Sequence, residues 1–427
     1  MQYFPIRRAW YLMEIKRDRY LNRLIKRKWN GSIKVVTGVR RCGKSYLLFK
    51  LFKDHLISEG VDADDIIAIA LDDIRNIPLR EPMALYNHIV NSIKGEKCFV
   101  LLDEIQFVKG FEDLMNGLRQ IPNIDIYVTG SNSKMLSKDI LTEFRGRGDE
   151  IRVYPLSFSE FATAFLGRED EAWRLFRTFG GMPELLSRTD EEQKIIYLQS
   201  LVKEVYLKNI KERNDVRLEN ELDLIVDLLC SSVGSLSNPH RIANAMRTVK
   251  HSRIDEETVS SYLNYLEDSF LFERSKRYDI KGKKYFDTPS KYYTVDVGLR
   301  NARLNFRQQE ETHIMENIIY IELRSRGFSV DVGIVENRNT KAGITENKKL
   351  EIDFVANKGS RRYYIQSAYR IPEGEKEEQE LRPFSKVRDS FKKIMIVGDD
   401  IHLKRDENGV VTMGIKQFLL DENSLDL

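Results

Sequence analysis

Short apolar runs alternate with segments of helical spacing through the first third of the chain. The runs are rich in β-branched residues, as in "SIKVVTG", which is typical of buried strands in a parallel sheet. Strands are predicted within 32–38, 66–71, 98–106, 123–136 and 150–158. After the first run, apolar residues recur on one predicted helix face: Leu47, Leu48, Leu51 and Phe52. This alternation predicts an α/β domain built on a parallel sheet.

The loop between the first strand and its helix carries a phosphate-binding pattern. In "GVRRCGKS", Gly38 is followed by four residues and then by Gly43, Lys44 and Ser45, which is the Walker A pattern. Glycines let backbone N–H groups turn toward phosphate, and the helix N-terminus adds its dipole. Lys44 is expected to reach the β- and γ-phosphates, and Ser45 to hold Mg²⁺. The predicted nucleotide-binding residues are Gly38, Val39, Arg40, Arg41, Cys42, Gly43, Lys44, Ser45 and Tyr46.

The apolar run at 98–106 contains two adjacent acids, Asp103 and Glu104, in the Walker B pattern. A carboxylate at the C-terminal end of a strand can hold Mg²⁺ directly or through water, and this role falls to Asp103. Glu104 is expected to polarise the water that attacks the γ-phosphate. Strands often end in acids, so the pair is informative mainly because it follows a Walker A loop.

A third strand ends in Gly130, Ser131 and Asn132. Polar side chains at this place could contact the γ-phosphate or the attacking water, so Ser131 and Asn132 are candidate catalytic residues. The alternative is that they cap a helix, because Ser and Asn are favourable N-cap residues. Both interpretations stay open.

These positions together resemble the AAA-type ATPases, within a bacterial and archaeal group that fuses such a domain to a C-terminal domain of uncharacterised function. The resemblance rests on "TGVRRCGKSYLL", "LLDEIQ", "TGSNSKML" and "GRGDEIRVYPLSFSEF", and it extends over nearly the whole chain. It implies an ATPase domain over residues 1–165 that uses ATP and Mg²⁺.

The resemblance also implies a role for an arginine beyond the third motif, which in such ATPases often completes the site of a neighbouring subunit. Arg147 is the best match and Arg145 the second, so a homo-oligomer is expected if Arg147 acts in trans. The alternative is that both are surface charges. Arg40 and Arg41 add cations near phosphate, or contact a neighbouring domain or nucleic acid.

The middle of the chain resembles two helical modules. Residues 166–215, with the turn "GGMPE", resemble a small helical lid, and 216–305 resemble a winged helix of three helices and a β-wing. Fold alone does not establish DNA binding. The third helix is acidic, whereas the wing is basic: Arg274, Lys276, Arg277, Lys281, Lys283 and Lys284. Nucleic-acid contact, protein docking and a solvated face are the alternatives for this wing.

Residues 306–427 resemble the PD-(D/E)XK nuclease layout, in which carboxylates hold Mg²⁺ and a lysine assists the attacking water. Asp353 matches one acid, and Glu316 or Glu322 matches the helix acid. Gln366 stands where a further acid is expected, and Ala368 where the lysine is expected. The sequence therefore predicts a nuclease-like domain that is inactive, unless another lysine such as Lys349 substitutes.

Composition narrows the class of protein but does not indicate a partner. Hydrophobic residues make up 41% and charged residues 32%, with a net charge of +3, so global charge does not indicate nucleic-acid binding. The cysteines, Cys42, Cys98 and Cys230, are far apart, and the six histidines lack metal-ligand spacing. A cytoplasmic protein without a membrane partner is expected, because no apolar run suits a signal peptide or a membrane helix.

The sequence thus predicts Mg²⁺-dependent hydrolysis of ATP to ADP and phosphate by a motor or switch, with a protein partner as one option. One alternative is a nucleic-acid-processing protein in which ATP hydrolysis controls DNA contact. Another is a signalling scaffold that binds ATP and hardly turns over.

Overall fold

The computed structural model describes residues 15–130, 148–250, 252–307, 310–341, 344–370 and 375–427. These residues form two compact units. The first contains the described residues up to Pro155 together with Asp268–Phe270, and the second contains Leu156–Glu267 and Leu271–Leu427.

The first unit is built on a five-stranded sheet with the order β2-β3-β4-β1-β5. All of its strand pairs are parallel. The strands are β1 (Ile33–Thr37), β2 (Ile66–Ala70), β3 (Cys98–Asp103), β4 (Ile124–Thr129) and β5 (Gly148–Arg152). Every residue of β1, β3 and β4 is buried, as expected for strands covered on both faces. The predicted parallel α/β sheet is confirmed.

One helix precedes the first of these strands and the others lie between strands in the chain, and the residues they bury are mainly apolar. The helices are α1 (Asp18–Ile25), α2 (Lys44–Tyr46), α3 (Lys53–Ser58), α4 (Pro82–Ser92) and α5 (Phe111–Leu118). A π-helical stretch, Leu47–Phe52, joins α2 to α3, and its apolar residues Leu47, Leu48, Leu51 and Phe52 are buried. The sequence pattern after the Walker A loop is therefore the buried face of this helix.

The helices of the second unit are α6 (Phe158–Ala164), α7 (Glu169–Phe179), α8 (Glu191–Ser200), α9 (Lys208–Arg213), α10 (Glu219–Ser231), α11 (Pro239–Lys250), α12 (Glu256–Asp268), α13 (Val297–Arg303), α14 (Glu311–Ser325), α15 (Glu375–Ser385) and α16 (Ile415–Leu420). Helix α6 begins at a capping box, in which Ser157 and Glu160 bond each other's backbone N–H groups. Helix α13 begins where the Asp296 carboxylate accepts a hydrogen bond from the Leu299 N–H, at 3.1 Å.

A nine-stranded mixed sheet runs through the second unit in the order β13-β14-β12-β11-β10-β9-β7-β8-β6. Its strands are β6 (Leu236–Ser237), β7 (Phe272–Asp279), β8 (Lys284–Thr294), β9 (Ser329–Lys341), β10 (Ile344–Lys358), β11 (Arg361–Ala368), β12 (Lys392–Val397), β13 (Lys404–Arg405) and β14 (Val411–Gly414). Strand β7 pairs in parallel with β9, so one sheet contains strands from both sides of residue 305. The predicted boundaries at 165, 215 and 305 stay a prediction.

Candidate nucleotide-binding site

The loop after β1 turns sharply because two glycines adopt positive φ. Gly38 has φ +141°, and a Cβ atom there would lie 2.2 Å from the Val153 carbonyl oxygen. Gly43 has φ +97° directly before the first residue of α2. Glycine adopts such angles without strain, and at Gly38 the nearby Val153 carbonyl also leaves no room for a Cβ atom. The glycines of the Walker A pattern are thus required by the geometry of this turn.

Lys44 folds back across this loop. Its ammonium donates to the carbonyl oxygens of Gly38 and Val39, each at 3.0 Å, and the residue is 4% exposed. A buried ammonium needs such oxygen partners, because burial without them is costly. The cation is therefore fixed beneath the loop that the sequence predicts to hold phosphate.

Two contacts from distant residues anchor the loop. The buried Cys42 thiol lies 3.5 Å from the Val153 carbonyl oxygen. The buried Arg17 guanidinium donates to the carbonyl oxygen of Cys42 at 3.1 Å and to that of Tyr154 at 2.5 Å. Sequence reasoning missed Arg17, because its partners are 25 and 137 residues away and no local motif marks it.

The acid that ends β3 lies against hydroxyls from two other elements. Asp103 is 4% exposed, and its carboxylate accepts hydrogen bonds from the Thr129 and Ser45 hydroxyls. Burial raises the pKa of Asp103, whereas these two hydrogen bonds lower it. A carboxylate beside the Ser45 hydroxyl at the loop is a donor set of hard oxygens, which suits Mg²⁺.

Glu104 follows with a strained backbone, at φ +53°. Its N–H donates to the Thr129 hydroxyl oxygen at 2.9 Å, and its carboxylate accepts a hydrogen bond from the Gln106 amide. One hydroxyl at the end of β4 therefore connects Asp103 with the backbone of Glu104. The sequence motifs did not indicate a role for Thr129, although it directly precedes Gly130, the first residue of the third motif.

The predicted residues meet because β4 lies between β1 and β3. The carboxyl ends of parallel strands share one sheet edge, so this order brings Lys44, Ser45, Asp103 and Glu104 together. Within the loop, Gly38 and Val39 are buried, Arg40 is half-buried, and Arg41 and Tyr46 are exposed. The predicted site residues Ser131, Asn132, Arg145 and Arg147 lie outside the described residues.

Comparison with known proteins places these motifs in a family. Residues 30–162 match a family model described as an AAA domain. A protein of Haemophilus influenzae described as uncharacterized is 35% identical, over 90% of this chain and 93% of its own length. Another, from Methanocaldococcus jannaschii, is 31% identical over 91% of this chain and 85% of its own. The chain belongs to the family of these two proteins. Its first unit is an AAA domain, of the P-loop ATPase class.

Beyond the AAA domain, residues 170–310 match a family model described as a domain of unknown function, DUF8612. Similar solved structures include Aeropyrum pernix ORC1 in complex with DNA, at 13% identity and TM-score 0.32 over 69% of this chain and 93% of that one. The replication initiator DnaA, bound to AMPPCP and single-stranded DNA, is 17% identical at TM-score 0.30, over 58% and 86%. At these TM-scores the similarity carries no information about ligands.

Among the described residues, no helix is both long and apolar enough to cross a membrane.

Proposed function

We propose that this AAA domain binds ATP with Mg²⁺ and hydrolyses it to ADP and phosphate. The observation that carries the proposal is the chain of contacts at one sheet edge. Ser45 and Thr129 both bond Asp103, and Thr129 also bonds the backbone of Glu104. Lys44 lies next to Ser45 at the start of α2, directly after the loop whose glycines allow close approach to phosphate.

Each residue has a role that follows from its place. The loop amides and the Lys44 ammonium bind the β- and γ-phosphates, since both present positive charge to the anion. Ser45 and Asp103 would hold Mg²⁺, which neutralises phosphate charge when bound. Thr129 keeps Asp103 and Glu104 in fixed relative positions through its single hydroxyl.

Glu104 is the proposed base. Its carboxylate accepts a proton from the attacking water, so that the oxygen becomes a better nucleophile toward the γ-phosphorus. Gln106 holds one oxygen of this carboxylate, which restricts its rotation. Ser131, Asn132 and Arg147 are proposed to complete the site, as the sequence predicts.

We further propose that hydrolysis drives a motor or switch and that residues 166–215 are its lid. The winged-helix assignment of 216–305 and the nuclease-like assignment of 306–427 are also proposals. Helices α10, α11 and α12, followed by the β7–β8 hairpin, support the former. There are two alternative functions: nucleic-acid contact through the basic β7–β8 hairpin, and a scaffold role in which ATP is bound but hardly hydrolysed. We also propose a protein partner and a cytoplasmic location.

Binding of Mg²⁺-ATP tests the proposal at its first step. Lys44→Ala is expected to weaken binding by at least about tenfold, or about 1.4 kcal/mol, because phosphate loses a fixed cation. Calorimetric titration of nucleotide-stripped protein measures this. Lys50→Ala is the matched control, because Lys50 is exposed on the same helical segment and pairs with Asp54. Equal affinity of Lys44→Ala and wild type would contradict the proposal.

A further inference from the structure

A buried lysine of the second unit stands among carboxylates. Lys291 lies on β8, and its side chain is 5% exposed. Its Nζ atom is 2.9 Å from Glu316 Oε1, 2.8 Å from Glu351 Oε1 and 3.9 Å from Asp353 Oδ1. The ammonium therefore touches two carboxylates directly and faces a third.

The carboxylates come from two elements, Glu316 from α14 and the other two from β10. Their orientation does not depend on the lysine alone. The Tyr293 hydroxyl donates to Glu316 Oε1 at 2.8 Å, and the Ser367 N–H donates to Asp353 Oδ2 at 2.8 Å. The fold thus brings three carboxylates to one point, and two of them, Glu316 and Asp353, have a hydrogen-bond partner besides the lysine.

The contacts of this cluster show which acids of the nuclease-like pattern lie together. Glu322 instead bonds the Arg326 guanidinium at 2.7 Å, so Glu316 is the helix acid that meets Asp353. The Gln366 side chain bonds two other groups. Its Oε1 accepts a hydrogen bond from the Asp353 backbone N–H at 3.3 Å, and its Nε2 donates one to the Glu380 carboxylate at 3.2 Å.

The expected lysine position is apolar, because Ala368 packs against Met395 and Val397. Lys349, the substitute considered from the sequence, is exposed and lies over the Phe286 ring at 5.5 Å. The lysine that reaches the carboxylates is Lys291, which no nuclease-like spacing indicates because it precedes the helix acid in the chain.

The ammonium and a divalent ion cannot share this place. Mg²⁺ requires carboxylate oxygens at about 2.0–2.1 Å, whereas the oxygens here are already in contact with an ammonium. Unlike a metal ion, the Lys291 ammonium cannot dissociate from the cluster, because it is covalently part of the chain. Among the described residues, no group of three or more His, Cys, Asp or Glu side chains is arranged to hold a metal ion. The residues present therefore do not fit Mg²⁺.

We propose that the Lys291 ammonium is a built-in cation that takes the place of a divalent metal ion among Glu316, Glu351 and Asp353. The cluster then links β8 to α14 and β10 as a permanent structural contact. It binds no Mg²⁺ or Mn²⁺, and it supports no metal-dependent cleavage of phosphodiesters.

The test is whether removal of the lysine opens a metal site. Lys291→Met keeps the apolar length of the side chain and removes the charge. Full-length, nucleotide-free protein is titrated with Mn²⁺. Bound ion is measured by the decrease of the electron paramagnetic resonance signal of free Mn²⁺. An Asp103→Asn background removes the metal site proposed for the AAA domain. Lys291→Met is expected to bind one Mn²⁺ per chain, at least tenfold more tightly than any residual binding by the background, and adding Asp353→Asn is expected to abolish this.

Lys349→Met is the matched control, expected to bind no more Mn²⁺ than the background. Because Lys291→Met leaves carboxylates without a cation, a second variant adds Glu351→Gln to lower their repulsion. Both variants are expected to melt at a higher temperature with Mn²⁺ than without it. Failure of both to fold even with Mn²⁺ would overturn the proposal, since a metal would then not replace the lysine. So would folded variants that bind no added Mn²⁺.

A nuclease assay tests the opposite role for Lys291, that of a catalytic lysine. Wild-type protein is incubated with single- and double-stranded DNA and RNA and with Mg²⁺ or Mn²⁺. No cleavage that depends on Asp353 is expected. Cleavage lost in both Asp353→Ala and Lys291→Met would overturn the proposal, because the lysine would then assist a bound metal rather than replace it.

Discussion

At the scale of single residues, the candidate site depends on side chains that serve two neighbours at once. Thr129 donates to Asp103 and accepts from the Glu104 N–H, and Lys44 bonds two carbonyls of its own loop. Hydrogen bonds to buried charged groups contribute more than those between neutral groups, about 1.5–3 kcal/mol. Small changes at these positions should therefore alter turnover without unfolding the sheet.

Thr129→Val tests the bridging role of this hydroxyl. Valine keeps the branched shape but cannot bond Asp103 or Glu104, so the position of both carboxylates loosens. ATP turnover is expected to fall about tenfold to a hundredfold, in line with the loss of 1.5–3 kcal/mol, with a smaller change in KM. Steady-state kinetics measures both. Thr129→Ser retains the hydroxyl and should recover most of the activity; equal losses in the two variants would contradict this role.

At the scale of elements, the Walker A turn passes close to the backbone that follows β5. Adding one methyl group at Gly38 tests whether this close approach is needed. In Gly38→Ala the new Cβ would lie 2.2 Å from the Val153 carbonyl oxygen. The unfolding free energy of the AAA domain is expected to drop by about 1–3 kcal/mol, as in other overpacked sites. Denaturant unfolding followed by near-ultraviolet circular dichroism measures it.

Gly117→Ala is the control for this prediction. Gly117 lies within α5, and its nearest neighbour for a new Cβ is the Tyr86 ring at 3.8 Å. Alanine favours helix over glycine by about 1 kcal/mol, so stability should stay level or rise. A Gly38→Ala domain as stable as Gly117→Ala would show that the turn tolerates a side chain.

The sequence predicts the elements that contain local signals. Apolar β-branched runs predict the five parallel strands, and the spacing Gly38 to Ser45 predicts the loop. Residues that act through distant contacts give no such signal: Arg17 meets Tyr154 across 137 positions, and Lys291 meets Glu316 across 25. Their partners are set by strand order and sheet register, which arise only when the whole unit folds.

At the scale of the whole molecule, one sheet of nine strands crosses the predicted boundary at 305. The DUF8612 match, residues 170–310, ends near the same place and does not include β9 to β14. Local composition separates a helical region from a strand-rich one, but a parallel pair such as β7–β9 joins residues far apart in sequence. The sequence alone could not indicate that these strands share a sheet.

Assembly into oligomers is the prediction that belongs to this scale. If Arg147 completes a neighbouring site, as the resemblance implies, Arg147→Ala and Glu104→Gln subunits are each inactive but should restore activity when mixed. An arginine supplied in trans to the γ-phosphate contributes about 10³–10⁵ in rate to other phosphate-transfer enzymes. ATPase rate against mixing ratio is the measurement. Absence of recovery, with specific activity independent of protein concentration, would contradict an arginine acting in trans.

The central claim, that this AAA domain hydrolyses ATP with Glu104 as base, is tested most directly by single turnover. Wild-type protein and Glu104→Gln are each mixed in excess over γ-labelled ATP with Mg²⁺, and released phosphate is followed. Glu96→Gln is the control, since Glu96 is an exposed acid just before β3, at its opposite end. Glu104→Gln should bind ATP as wild type does and release phosphate at least about a hundredfold more slowly, within the range of general-base catalysis. Phosphate release at the wild-type rate from Glu104→Gln would contradict the claim.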